Sequence, residues 1–479
     1  MSGSETTITA SATSRRVAPS IVLGLLGSLT VAILGTVVGS IPASGVTWWF
    51  HVPAQHFSGR TVLFDLGVAA LLGGWLGLGG VARRGELSIR SCWVALLAWG
   101  TPLFLGPPLY SRDLYSYVAQ GIIARRGLNP YTTAPDALGP GQVLNSVASV
   151  WRHTPSPYGP VFVGLSHLTG ALSGDTLVRQ ILTFRVLGLI GVLALMMVIP
   201  RLARRLGTNP GMALWLSVIS PLALLGYVSS GHNESLMMAF LLAGILLAVE
   251  GLLSLGLGLT AFAAAIKLPA LAAPLMFGAK GFVESSPAQR PKVIAKAAGV
   301  PLVVLALVTL AMGYGFTWLG PKALKIPTEL HTLITPSVMV GVFVASILHV
   351  LGSSVPTHSV VSVIQSMFSF GVVAGVVFLV IRIRSINVVR GVGLVLMLVA
   401  VGSPTLWPWY LLWGLTVLAV TSAQTSKALA ATAGLAMFLT QATGTPILQG
   451  HSYLLTGPLV IAGILWFLTG GRWRKAIGL

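Results

Sequence analysis

VAPSIVLGLLGSLTVAILGTVVGSI, residues 17–41, contains no charged residue and follows directly on Arg15 and Arg16. A helix needs about 20 apolar residues to cross the hydrocarbon core of a bilayer, and the apolar core of a cleaved signal peptide is only about 7–15 residues long. The stretch therefore reads as a first membrane span entered from the side that holds Arg15 and Arg16. Working outward, comparable apolar segments lie near 61–81, 91–109, 178–200, 208–229, 234–252, 297–317, 359–382, 388–403, 410–423, 428–444 and 453–471. The whole chain of 479 residues is 54% hydrophobic and 8% charged, with a mean hydropathy of +0.87. A soluble domain carries roughly 25% charged residues. The fold class this predicts is an all-α, polytopic integral membrane bundle with about 12–14 membrane segments.

Lys and Arg number 29 against 10 Asp and Glu, a formal charge of +19. In a soluble protein that excess would suggest nucleic acid. Here no run of five basic residues occurs, and the charges gather in short loops: Arg83/Arg84, Arg201/Arg204/Arg205, Lys280 to Lys296, Arg382/Arg384/Arg390 and Arg472/Arg474/Lys475. One alternating walk places all of these, and both termini, on the cytoplasmic face, as the positive-inside rule requires. Residues 1–17, rich in Ser and Thr, read as a disordered cytoplasmic tail, and 18–479 as one transmembrane domain. Residues 253–279 begin and end inside, which suggests a re-entrant pair broken at Lys267-Leu268-Pro269. Residues 336–352 read as a partial or interfacial helix. The longest polar stretch, 110–160, falls outside, and Asp113 to Arg126 has the spacing of a helix lying along the membrane surface.

Ten carboxylates permit elimination. Glu5, Glu86, Glu250 and Glu284 fall inside; Asp65, Asp113, Asp136, Asp175, Glu234 and Glu329 fall outside or near outer ends of spans. There is no DxD, HExxH or Cys/His ligand spacing, and the single cysteine, Cys92, reads as buried in a span. Asp113, between Arg112 and Tyr115, stands at the dry edge of the membrane, where a carboxylate serves either as a general base or as the cap of the following helix. Arg112, Arg125, Arg126 and Arg152 run against the positive-inside trend and either meet an anion or solvate a surface helix. His232, Asn233 and Glu234 open a helix, where they either help bind an anion or cap it. Trp407-Pro408-Trp409-Tyr410 is either an interfacial belt or a stacking face for sugars. Lys267 is ionisable at membrane depth and thus functional, snorkelling or paired.

Taken in order, SRDLYSYVAQG (111–121), NPY (129–131), SPYGP (156–160), HNE (232–234), AIKLP (265–269) and WPWY (407–410) resemble the polyprenol-phosphate-mannose-dependent α-(1→6)-mannosyltransferases of the GT-C fold, which extend the mannan of lipomannan and lipoarabinomannan. The likeness covers about residues 60–470. It implies an inverting transfer from a polyprenyl-phosphate-mannose donor to a mannosylated glycolipid acceptor, on the outer, periplasmic face of the plasma membrane. By position, Asp113 is then the general base. Arg112, Arg125, Arg126, Arg152 and His232 are candidates for the donor phosphate. Tyr115, Tyr158, Asn233, Glu234, Trp409 and Tyr410 are candidates for sugar or lipid contact. No metal or other cofactor is implied. Asn129 departs from the Asp expected in many relatives and removes a possible second acid.

The rivals are transfer of another polyprenyl-linked sugar, such as arabinofuranose or glucose, and a transporter, which would be expected to show inverted repeats and mid-membrane coupling charges, whereas no repeat is visible and the polar residues concentrate in one outer loop. The topology makes a direct prediction. A cysteine placed at Ala137 should react with an impermeant thiol reagent added outside intact cells, and labelling only from the cytoplasmic side would refute it.

Overall fold

The computed structural model describes residues 2–41, 48–50, 58–174, 176–320, 332–421 and 426–469. Asp175, Glu329, His51, His56, His331 and the 472–475 basic cluster lie outside the described residues. Among those described no β-strand forms, only an isolated bridge between Thr440 and Pro446. The chain runs through α1 (Ser2–Val38), α2 (Arg60–Arg83), α3 (Ile89–Leu105), α4 (Asp113–Arg125), α5 (Gln142–Ser146), α6 (Ser149–Arg152), α7 (Pro160–Ser173), α8 (Leu177–Arg205), α9 (Pro210–Leu216) and α10 (Pro221–Ser229). It continues through α11 (Glu234–Val249), α12 (Leu253–Ala264), α13 (Ala272–Glu284), α14 (Arg290–Met312), α15 (Pro336–Val350), α16 (Thr357–Ile381), α17 (Val388–Gly402), α18 (Leu411–Ala419), α19 (Ser426–Leu435) and α20 (Tyr453–Thr469).

Among the described residues, five helices are long and apolar enough to cross a membrane: Arg16–Val38, α2, α8, α14 and α16. A sixth arises if α9 and α10, bent by 55° at their junction, form one broken span. The other apolar helices run 10–17 residues, so the expected 12–14 segments exceed those long enough for a full crossing. The shortening has visible causes. Pro221 opens α10 and a π-helical turn ends it, and Lys267-Leu268-Pro269 separates α12 from α13 as the sequence suggests. The expected span 428–444 stops early, in a 3-10 turn at Ala436–Leu439 followed by a tight turn. The tail expected to be disordered is helical from Ser2, because extending a helix that the apolar run has already nucleated adds one hydrogen bond per residue fixed. Helix α7 was not anticipated: its 14 residues are too few for a span, and Pro160 starts it where the polar stretch 110–160 returns to the bundle.

The first helices dock through glycine. In lipid the hydrophobic effect does not drive helices together, so small residues that let backbones approach supply the packing. A Cβ on Gly27 would meet Gly67 O at 2.5 Å, and one on Gly74 would meet Ser20 O at 2.5 Å and Gly24 N at 2.7 Å. Helix α2 is then locked to α9 by a reciprocal pair of buried indoles. Trp75 Nε1 donates to Trp215 O and Trp215 Nε1 to Trp75 O, both at 2.8 Å, with the rings stacked at 4.7 Å. Each indole N–H thus finds a partner where no water reaches. Gly74→Val should push the α1 and α2 backbones apart and cost about 1–3 kcal/mol, read as a lower melting temperature in detergent. Gly80→Ala, whose new Cβ meets nothing nearer than 3.9 Å, should not lower melting, since alanine is the better helix former.

Candidate active site

Helix α3 ends at Gly106, and the chain then travels seven residues to the start of α4. Tyr110 adopts φ 61°, the one positive φ of a non-glycine residue among those described. Such a conformation persists only where its surroundings hold it. The Tyr110 N–H donates to Ala442 O at 2.7 Å, and Ser40 Oγ donates to the same carbonyl at 2.9 Å. Ser111 Oγ then accepts the Asp113 N–H at 3.0 Å, which satisfies one of the orphan amides of α4. The Asp113 carboxylate is thereby free of capping duty. Its Oδ1 accepts from Trp151 Nε1 at 3.1 Å, and its Oδ2 lies 3.5 Å from His232 Nδ1. Of the two sequence readings of Asp113, the cap is not realised.

The Asp113 side chain keeps 12% of its surface exposed, and it faces a cavity of about 380 Å³. One wall is Ser111, Arg112 and Asp113, and α6 with Trp151 forms the second. Thr332, Trp407, Trp409 and the turn Thr443–Pro446 close the third. Burial, reinforced by the negative charge of Glu234, pushes the Asp113 carboxyl up to about 6, against the opposing pull of Lys267 and the hydrogen bonds from Trp151 and Ser111. Burial and then the charge of Lys267 hold the His232 imidazole well below its ordinary value. His232 therefore meets Asp113 as a neutral ring, stacked at 3.9 Å on Trp409.

Behind this face, Lys267 and fully buried Glu234 form an ion pair. The ammonium also sits over the rings of Tyr410 (4.3 Å), Trp413 (5.1 Å) and Tyr158 (5.7 Å). Glu234 opens α11 without lining the cavity, its charge answered by Lys267. A third buried charge sets the frame. Arg185 of α8, 1% exposed, donates to Gly106 O at 2.6 Å, to Leu103 O, and to Val228 O at 3.2 Å. It joins the end of α3, which leads to Asp113, to the turn that leads to His232. Ser230 Oγ adds a bond to Leu109 O at 2.5 Å.

Of Arg112, Arg125, Arg126 and Arg152, only Arg112 lines the cavity. Arg125 and Arg126 stand at the far end of α4, about 18 Å from Asp113 at 1.5 Å per residue, with Arg125 donating to Gly170 O at 2.6 Å. Arg152 is turned to Val147 O and Asn145 O, both at 3.1 Å, and braces its own loop. Trp409 lines the cavity, whereas Tyr115, Tyr158, Asn233 and Tyr410 pack behind it. Asn129 Oδ1 accepts the Tyr131 N–H at 2.9 Å and shapes a turn away from the cavity. Sequence reasoning missed Trp151, Thr332 and the Thr443–Thr445 turn, and read Trp407 only as part of the Trp407–Tyr410 cluster. Only Trp407 carried a signal, as a neighbour of Trp409 in WPWY.

A family model described as alpha-(1->6)-mannopyranosyltransferase, N-terminal domain, matches residues 21–280, and one described as an MptB C-terminal domain matches 336–469. Among curated relatives, the chain is 31% identical to alpha-(1->6)-mannopyranosyltransferase A of Mycobacterium tuberculosis over 87% of its own length and 83% of the relative's. It is 30% identical to the A enzyme of Corynebacterium glutamicum over 74% of the chain and 76% of the relative. It is 26% identical to the B enzyme of the same organism over 83% and 72%. No solved structure matches the chain.

A base works only when ionised, so activity through Asp113 should fall as pH drops through about 6. The Trp151 hydrogen bond favours the carboxylate form. Trp151→Phe should therefore move the acid limb of the kcat/KM profile to higher pH, and a profile that does not move would remove Trp151 from the assembly.

Proposed function

The chain belongs to the alpha-(1->6)-mannopyranosyltransferase family, a group of membrane glycosyltransferases, and from that premise we propose an inverting transfer of mannose from a polyprenyl-phosphate donor, with Asp113 as general base on the outer face. The observation that supports it most is the Asp113 carboxylate, held free of capping, with a raised proton affinity, at the edge of a cavity that also contains Arg112. The acceptor hydroxyl attacks the anomeric carbon of a β-linked mannosyl phosphate from the opposite face. The new C–O bond forms as the bond to phosphate breaks, polyprenyl phosphate departs with the electron pair, and the hydroxyl proton passes to Asp113. The donor phosphodiester carries one negative charge and the departing monoester gains a second. A cation at the leaving oxygen is therefore worth most in the transition state, and Arg112 is the outer arginine at hand. The Trp151 hydrogen bond keeps the carboxylate in one orientation, with the neutral His232 ring 3.5 Å from its other oxygen.

Glu234 shares the outer face but is poorly suited to be the base, since Lys267 already holds its charge. Removing one member of such a buried pair costs about 3–5 kcal/mol. Glu234→Gln is thus expected to lower folding yield, where Asp113→Asn is not. With a monophosphate leaving group and a fixed cation, the reaction is expected to proceed without a divalent metal.

The test combines purified protein, polyprenyl-phosphate mannose and a short α-(1→6)-mannolipid, with the product linkage read by NMR. Wild type should form a new α-(1→6) bond and keep its rate in EDTA. Asp113→Asn should lose about 10²-fold or more in turnover with melting temperature and donor affinity near wild type. An Asp113→Asn enzyme that retains most of its turnover would displace Asp113 as base, and product from a different sugar donor alone would displace the mannosyl donor.

A further inference from the structure

The cavity is built from two stretches of chain that the family models separate. Asp113, Arg112 and Trp151 come from the part matched as the N-terminal domain, and Trp407, Trp409 and the Thr443–Pro446 turn from the part matched as the C-terminal domain. The two walls differ in chemistry. The first carries both charges of the cavity lining, while the second is uncharged and offers two indoles and hydroxyls. A phosphate belongs with the cation, and a neutral polyhydroxylated ring belongs with the second wall.

That wall is organised. His232, Trp409 and Trp407 form one continuous stack, with centroids 3.9 Å and then 5.2 Å apart and the two indoles within 8° of parallel. Trp409 stacks with both other rings, and Trp407 is the member of the stack in the cavity lining that has one stacked neighbour. The turn opposite is pinned to the strand of chain that carries Asp113. Ala442 O takes the Tyr110 N–H, and Gly444, at φ 87°, lies so close that a Cβ there would come within 3.1 Å of Ser111 Cα. At its tip Thr445 Oγ1 donates to Gln441 Oε1 at 2.9 Å, so the 2.9 Å contact between the two hydroxyls has Thr443 donating to Thr445. Thr443 keeps lone pairs to accept from a ligand hydroxyl. Thr443 and Thr445 are exposed whereas Asp113 and Trp409 are buried. The turn is therefore the side of the cavity open to solvent, by which a hydrophilic glycan would enter.

We propose that this C-terminal wall is the acceptor subsite, with the Trp407 face packing on a pyranose ring of the mannan and the Thr443–Thr445 turn bonding its hydroxyls. Apolar and aromatic area with a few placed polar groups is how small-molecule sites combine affinity with orientation. Trp407, Thr443 and Thr445 are then residues that set acceptor specificity, and Asp113 receives the proton from the hydroxyl they present. The assignment rests on the transferase reading for its acceptor, but not on the identity of the donor.

The experiment is binding of soluble α-(1→6)-linked mannotetraose to the purified full-length chain without donor, by calorimetry or saturation-transfer NMR, with kinetics run separately. Thr443→Val/Thr445→Val keeps shape and removes the hydroxyls. It should weaken binding about tenfold and raise the acceptor KM in step, with kcat at saturating acceptor and donor KM within about twofold of wild type. Trp407→Phe should bind more weakly than wild type, and Trp407→Ala more weakly still. Wild-type protein that does not bind the tetraose, a Thr443→Val/Thr445→Val protein that binds it like wild type, or a loss confined to donor affinity would each overturn the subsite. If wild type binds the tetraose and the Thr443→Val/Thr445→Val variant does not, yet polyprenyl-phosphate mannose is no substrate, the donor assignment fails and the subsite stands.

Discussion

A guanidinium buried at the centre of the bundle holds the rest in register. Arg185 has no carboxylate partner among its hydrogen bonds; its N–H groups are taken up by three carbonyls. Two belong to the end of α3, where the last carbonyls of a helix have no partner within the helix. The third belongs to the irregular turn that closes α10, where the ordinary bonding pattern is broken. A cation is attracted to both, and a planar fork of donors can serve several acceptors at once. Everything downstream inherits this placement. Seven residues beyond Gly106 stands Asp113, and four beyond Val228 stands His232, so one buried side chain fixes the two segments whose side chains meet 3.5 Å apart.

The same economy of charge explains the chemistry of Asp113. A carboxylate away from water must be paired, hydrogen-bonded or protonated. Glu234 takes the first course with Lys267, and the aromatic rings around the ammonium complete its enclosure. Asp113 has the second, through Trp151, while the nearest imidazole is held neutral and supplies no counter-charge. It is left as the carboxylate with both a raised proton affinity and a path to the cavity. Both acids lie at the first turn of a helix and look alike in a list of outer carboxylates. Lys267, more than thirty residues beyond Glu234, separates their roles.

Much of the architecture was legible because membrane segments are local objects. The ends of α2, α8, α11, α16, α17 and α20 fall within a few residues of the apolar runs that announce them, and the break at Lys267-Leu268-Pro269 is written in the proline itself. Helix α7 and the turn after Leu439 escaped notice because neither is long or apolar enough to register as a crossing. Of the residues singled out in the sequence, Asp113, Arg112 and Trp409 line the cavity and His232 lies beside it, whereas the three arginines grouped with Arg112 do not line it. A helix of 13 residues carries its two ends apart, so Arg112 and Arg125 cannot clamp one phosphate, although both flank the same motif.

The sequence by itself determined that the chain is a helical membrane protein, where its helices begin and break, and which motifs tie it to its family, since apolar length, proline and short motifs act over a few residues. Tertiary structure decided which side chains share a cavity. Trp151 reaches Asp113 across 38 residues, and Ala442 secures Ser40 across 402. The Thr443–Thr445 turn faces Asp113 only because Gly444 allows backbone to lie against backbone. Such meetings depend on how helices dock through small residues and on where buried charges find carbonyls. Those are properties of the packed bundle, which no local pattern of residues encodes.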